Sequence, residues 1–288
     1  MGKQFSVVVE GQVYRAAPAG FFKTGDKPVI RVRSKEGFSI RLTKDHPVLR
    51  ADISRDARVT AWVKAGELQA GDMLVLNNHR ALSGWTGEGT AEQGYLLGLL
   101  LGDGMLQEET AILSVWEHAG SAAIREAVTH AASCLANRAD HKGWHVIEGR
   151  GEYRYMSASL RRLAAQFGML DAKEVTTEIE QASHEFYRGF LRGFFDSDGS
   201  IEGTLRKGVS VRLVQYSIAT LEAVQRMLAR MGIVSTLNLG QDDGQILVMS
   251  VENGRLKKLQ LATQHELVIA NDNLVRYADL IGFSDSEK

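Results

Sequence analysis

The 288-residue sequence predicts an α+β protein, in which two copies of one helix–strand–strand–helix–strand–strand–helix unit follow an all-β front. Three observations carry this expectation. Apolar spacing changes from strand-like to helix-like across a polar, Gly-rich stretch at residues 77–93, which reads as a linker. Two segments beyond it recur. The two helices that open the copies both end in Asp-Gly. The expected boundaries are 1–88 for the front and linker, 89–183 for the first copy and 184–288 for the second.

In the front, Val29–Arg33 and Phe38–Leu42 read as strands around the turn signal at 35–37, with further turns at Gly25-Asp26 and Gly71-Asp72. Beyond the linker, Gly94–Leu101 is apolar all round, as expected of a buried helix. Ala111–Trp116 reads as a strand and Ala122–Ala136 as an amphipathic helix. His145–Ile147 and Tyr153–Met156 read as a hairpin, and Leu160–Phe167 as a helix stopped by Gly168. The second copy reads as a helix over Glu185–Phe195, a turn at Gly203–Gly208, a strand at Val209–Ser217 and a helix at Thr220–Met231. Strands at Val234–Leu239 and Ile246–Val251 and a helix at Asn273–Ile281 complete it. YLLGLLLGDG (95–104) aligns with GFLRGFFDSDG (189–199), and SLRRLAAQFGM (159–169) with NLVRYADLIGF (273–283).

Composition bounds the function. Apolar residues make up 44% of the chain, enough for a sizeable core. No apolar run is long enough to span a bilayer and no secretory signal opens the sequence. Cys134 is the only cysteine, so no intrachain disulfide forms and a reducing, cytoplasmic setting is expected. Net charge is −1, but residues 1–88 hold 14 Lys/Arg against 9 Asp/Glu, a basic front suited to phosphate contacts and equally suited to an ordinary solvated surface.

The chemistry concentrates at the two Asp-Gly ends. Gly94, Gly98 and Gly102 are spaced four apart, as are Gly189, Gly193 and Ser197. Two such faces let helix backbones approach closely, which would place Asp103 and Asp198 side by side. Each acid sits at the unfavourable end of a helix dipole, at a cost of roughly 0.3–1 kcal/mol. Two adjacent carboxylates repel unless one is protonated or a cation lies between them. Hard oxygen ligands favour Mg²⁺, and acid-held metal ions support in-line phosphodiester hydrolysis. A lone Asp-Gly is an ordinary helix-ending turn with a left-handed glycine; two at matching repeat positions ask for more. An EF-hand reading of DSDGSIEG (196–203) fails, because its glycine comes too early and no Glu fills the twelfth position.

LLGLLLGDG (96–104) and LRGFFDSDG (191–199) resemble the two motif copies of the LAGLIDADG homing endonucleases. The resemblance implies two pseudo-symmetric αββαββα halves that form a DNA-binding saddle, with the motif helices between them. It implies metal binding by Asp103 and Asp198, and a staggered double-strand cut in a long, asymmetric DNA site by a monomer. The first copy departs from the motif at Leu101, where the second keeps Asp196. Intein-borne members place a lysine after each half's last helix, which matches Lys173 and Lys288; a solvated lysine is the plainer alternative for both. Arg150, Arg154, Arg206, Lys207, Arg212 and Gln215 are candidate DNA contacts, since arginine on guanine is the usual specific pair.

In the front, GFSIRLTKDHPVL (37–49) and WVKAGELQAGDMLVL (62–76) resemble part of a Hint domain, the self-splicing fold of inteins. Thr43 and His46 match its T-x-x-H motif. GFFKTGDKPV (20–29) is similar to inteins of ribonucleotide reductases. The splicing nucleophile and the terminal His-Asn are missing, so a splicing-incompetent remnant is expected. Two other functions stay open. One is a LAGLIDADG protein that binds DNA or RNA without cutting, like a maturase or regulator; the other is an intein fragment that splices in trans.

Overall fold

The computed structural model describes residues 6–9, 12–16, 25–53, 58–139, 141–204, 206, 208–240, 247–252, 255–260 and 263–288. Residues 1–83 with 230–232 form one compact unit, and residues 84–229 with 233–288 form another. Residues 20–24 and Lys207, both named above, lie outside the described residues.

The first unit is a set of short antiparallel strands. β1 (Ser6–Val9) pairs with β2 (Gln12–Arg15), and β3 (Val29–Arg33) with β4 (Ser39–Thr43). β5 (Pro47–Ile53) runs between β6 (Arg58–Lys64) and β7 (Met73–Leu74). Gly37, at φ +98°, closes the β3–β4 turn through its N–H to Ser34 O. Among the described residues of 1–83 only Leu42 and Ala65 are buried apolar side chains, whereas Trp62 is 70% exposed.

The second unit holds two four-stranded antiparallel sheets and the helices packed on them. Its first half comprises α1 (Ala91–Leu101), β8 (Gly104–Leu106), β9 (Ala111–Trp116), α2 (Ser121–Ala132), β10 (Trp144–Ile147), β11 (Glu152–Ser157) and α3 (Ala158–Gln166), with sheet order β10-β11-β9-β8. After the short α4 (Thr177–Glu180), the second half comprises α5 (His184–Asp198), β12 (Gly199–Thr204), β13 (Gly208–Gln215), α6 (Ile218–Arg230) and β14 (Thr236–Asn238). It continues through β15 (Leu247–Glu252), β16 (Arg255–Gln260), β17 (His265–Ala270) and α7 (Asp272–Leu280), with sheet order β12-β13-β17-β14. The repeated order of elements thus appears in both halves, with one insertion.

That insertion corrects the sequence reading. The strand expected at 246–251 is β15, and it pairs with β16 as a separate hairpin. The strand that completes the second sheet is β17, which pairs with both β13 and β14. Residues 239–264 therefore intervene where residues 148–151 suffice in the first half. The linker reading also needs correction at its end. Trp85 donates its Nε1–H to Ala182 O at 2.9 Å and sets its ring edge-on to both His184 and Tyr187. Ser183 N–H bonds Glu88 O, so this segment is docked on the start of α5.

Local chemistry explains the helix starts. Thr90 Oγ1 accepts from Gln93 N–H while Gln93 Oε1 accepts from Thr90 N–H, a reciprocal cap for α1. Ser183 caps α5 by accepting from Phe186 N–H at 3.0 Å. The core lies along these two helices, where Leu96, Leu97, Leu100, Phe186, Phe190, Phe194 and Phe195 are fully buried. The glycine faces meet as their spacing predicts. A Cβ on Gly94 or Gly98 would strike the carbonyl of Phe186 or Phe190, and one on Gly189 or Gly193 that of Ala91 or Tyr95. The glycines after the acids are not left-handed caps, however. Gly199 has φ −84°, and Gly104 is not among the glycines of positive φ. They are needed because the next strand folds back across the helix end, where a Cβ would strike Leu100 or Phe195.

Candidate active site

The close crossing of α1 and α5 brings the two acids to one end. Asp198 ends α5 and Asp103 lies two residues past α1. A Cβ on Gly102 would lie 3.1 Å from Asp198 Oδ1, so the second carboxylate rests against the backbone beside the first. Burial and then the nearby Asp103 push Asp198 up to about 6. Asp103 stays open to solvent on one side, yet the protein around its carboxyl raises it too, against the pull of Lys173 and Lys288.

Both lysines reach this pair. Lys173 Nζ donates to Gly102 O and Gly104 O, each at 2.9 Å. Lys288 Nζ donates to Asp196 O at 2.7 Å and Phe195 O at 3.3 Å. Each ammonium thus covers the carbonyl end of one central helix, where a cation is favoured. Burial lowers both lysines, while Asp198 and Asp103 pull Lys173 back up and Asp285 and Asp196, then Asp198 and Asp103, pull Lys288 back up. A cleft of ~350 Å³ joins Asp103, Ser197 and Lys288 with His118, Asp285 and Glu287.

Gln215 joins the same centre. It was expected as a candidate DNA contact, and its Nε2 donates to Asp198 Oδ2. The pairing of β12 with β13 explains this. Gln215 lies two residues beyond Leu213, the partner of Gly199, and so shares the face that looks toward the helix. In the first half the matching step from Leu113, partner of Gly104, ends at the buried Val115.

The remaining candidates stay away from the carboxylates. Arg150 is exposed in the β10–β11 turn and Arg206 in the β12–β13 turn. Arg154 lies on β11 with its guanidinium on buried Glu152, at 2.6 and 3.1 Å. Arg212 on β13 bonds Glu266 at 2.8 Å and Glu202 at 3.3 Å. Thr43 and His46 flank a tight turn in the first unit, where His46 N–H bonds Thr43 O. The Thr43 hydroxyl serves Asp45, whose exposed carboxyl it holds below the usual range.

His118 and Asp285, near the centre, escaped the sequence reading, and Asp196, named there as a motif position, was given no role. Asp196, 3% exposed, accepts from Tyr95 OH and Ser284 N–H at 2.9 Å and from Asp285 N–H at 3.3 Å. Asp285, 4% exposed, accepts from His118 Nε2 at 2.9 Å. An acid on the buried face of α5 was a legible sign of a partner; nothing in the residues around Asp285 marked it out.

Among the described residues no group of three or more His, Cys, Asp or Glu side chains could hold a metal ion, and no helix is long and apolar enough to cross a membrane. The chain is 24% identical to the ribonucleoside-diphosphate reductase NrdEB subunit alpha of Bacillus subtilis over 94% of its length and 26% of the relative's. It is 26% identical to a replication factor C small subunit of Thermococcus kodakarensis (93% and 27%) and 28% identical to the replicative DNA helicase DnaB of Rhodothermus marinus (97% and 29%). The chain therefore spans little more than a quarter of the length of these curated relatives. Among solved structures it is similar to the homing endonuclease I-DmoI, at a TM-score of 0.42 and 16% identity over 67% of this chain and 95% of that one. It is also similar to full-length DUF199/WhiA from Thermatoga maritima, at 0.43 and 16% over 68% and 57%. The family model described as a LAGLIDADG-like domain matches residues 185–282, from α5 through α7.

Proposed function

We propose that the chain is a site-specific DNA endonuclease that works as a monomer and makes a staggered double-strand break in a long, asymmetric site. One observation carries this reading: two repeats deliver one carboxylate each to the end of a shared helix crossing, and each repeat adds a lysine there. The carboxylates fit a divalent cation. Burial raises Asp198 and the neighbouring Asp103 adds to it, so a cation between them would be favoured, and Mg²⁺ is commonly held by one or two carboxylates plus waters and substrate phosphates. Asp103 and Asp198 would hold it, and it would neutralise charge on the phosphodiester under attack.

The chain's own groups do the rest. Lys173 and Lys288 set fixed positive charge beside the carboxylates. Gln215 fixes the orientation of Asp198. Arg154 and Arg212 stand on the sheets, paired with Glu152 and Glu266, and Arg150 and Arg206 are exposed in the turns, where they would meet a DNA backbone.

The relatives support a mobile element. One segment of this length matches a reductase subunit, a replication factor and a helicase, and fills a similar fraction of each. A segment common to proteins of such different activities belongs to none of those activities, which fits an inserted intein-like element with residues 1–88 as its Hint remnant.

The test is cleavage of DNA carrying the uninterrupted host-gene site, together with a randomised site library, in Mg²⁺ and in EDTA. A discrete break in Mg²⁺ that EDTA abolishes is the expected result. Binding without cutting under several divalent metals would establish the alternative, a non-cleaving nucleic-acid binder. That alternative draws on the lack of a third acidic ligand among the described residues.

A further inference from the structure

After α7 the chain turns at Gly282 and lays residues 283–288 across the end of α5. Four attachments fix this strap. Ser284 and Asp285 give their N–H groups to Asp196 Oδ1. Tyr95, from the other half's central helix, donates to Asp196 Oδ2. Asp285 folds back to accept from Glu287 N–H at 2.9 Å and reaches across to His118, in the β9–α2 connection of the first half. Lys288 ends the strap on the last carbonyls of α5.

The His118–Asp285 contact is built rather than incidental. His118 Nδ1 faces Trp116 O and Nε2 faces Asp285 Oδ2, both at 2.9 Å, so both ring nitrogens face acceptors and the charged imidazole satisfies both. Gly120 lies so close to the Asp285 carboxyl that a Cβ there would collide with it. The first half has no counterpart: Leu101 replaces Asp196, and Lys173 is exposed. Its ammonium rests on two carbonyls alone among the contacts described.

We propose that His118 and Asp285 are positioning residues, which with Asp196 lock the 283–288 strap so that the Lys288 ammonium is held at the carboxylate pair, and that cleavage of one DNA strand depends on this lock more than cleavage of the other. The catalytic part rests on the endonuclease reading. The strap does not.

Two measurements test it on the full chain, with Asp285→Ala and with His118→Ala. The second variant alters a largely exposed side chain and keeps the test open if the first does not fold. Hydrogen exchange followed by mass spectrometry reads the strap directly. The Ser284, Asp285 and Glu287 amides are expected to be protected in the wild type and exposed in both variants. Strand-resolved nicking of the cognate site reads the consequence. The rate constant on one strand is expected to fall about 10²-fold, the effect of a misplacement near 1 Å. The other strand's rate, and DNA affinity in Ca²⁺, are expected to hold. Unchanged exchange in the variants would overturn the strap, and equal loss on both strands would overturn its strand-selective role. A wild-type chain that cuts no site would overturn the endonuclease reading and the catalytic part together, while exchange would still decide the strap.

Discussion

In the first half of the second unit Asp103 lies past the end of its helix, open to solvent on one side, and Lys173 is exposed on two backbone carbonyls. In the second half Asp198 is the last residue of its helix and is bonded by Gln215, and Lys288 is carried on a strap pinned at Asp196 and His118. The chemical groups are alike, but their support is not. Where the first repeat fills its supporting positions with Leu101 and Val115, the second fills them with Asp196 and Gln215. A repeat can thus keep its reactive groups while its surroundings change from apolar packing to a hydrogen-bonded frame. A lysine held at fixed geometry stabilises charge without reorganising. On this comparison the second half is the better prepared of the two.

The largest effects should erase the comparison. Asp198→Asn and Asp103→Asn each keep the side chain's size and remove its charge, and each is expected to abolish cleavage while DNA binding persists in a mobility-shift assay. Full cleavage by either variant would end the metal assignment. Next comes the feature both halves share. Gly98→Ala drives a methyl into the Phe190 carbonyl, so the helices must separate, and a loss of about 3 kcal/mol in urea unfolding is expected. A loss under about 0.5 kcal/mol would mean that the crossing relaxes freely.

An exchange of supports sharpens the contrast. Leu101→Asp buries a carboxyl that has no strap to bond, and Asp196→Leu strands two amides and the Tyr95 hydroxyl. Each is expected to cost roughly 1–3 kcal/mol. A neutral Leu101→Asp would show that the first half already contains the acceptor's partners.

The smallest effect is electrostatic. The hydrogen bond to Asp285 raises His118 above its ordinary value. A raised histidine contributes its full stability below the unfolded pKa and loses it as pH rises through the folded one. The stability gap between the wild type and His118→Ala should therefore be widest below the ordinary histidine value of about 6.5 and close as pH rises above it, measured as a difference in Tm. A gap that widens with pH would reverse the sign of the assignment.

How much of this was legible in the sequence follows from which forces each feature depends on. The helix crossing was legible because glycine spacing and close approach share one periodicity. β9 was legible over the whole of Ala111–Trp116, a compact apolar run. β17 was not, because Leu247–Glu252 offers an equally strand-like pattern and only long-range pairing decides which strand enters the sheet. The bond from Gln215 to Asp198 was not legible, because register fixes orientation, and a step of one residue moves a side chain from the open surface to the helix side. Asp103, Asp198, Lys173 and Lys288 were nameable from motif position. Their mutual arrangement, and the strap beneath Lys288, depend on tertiary contacts between residues far apart in the chain, such as His118 and Asp285.

The glycine-lined crossing has a consequence for how such a chain can change over time. Main chain rests on main chain there, so the gap between the two acids is set by atoms that every residue type shares. Substitutions on the exposed strand faces would change the surface and leave that gap untouched. On the endonuclease reading proposed above, the molecule would behave like calipers with a fixed opening whose jaws can be recut, the exposed strands changing while the interval between the two carboxylates holds.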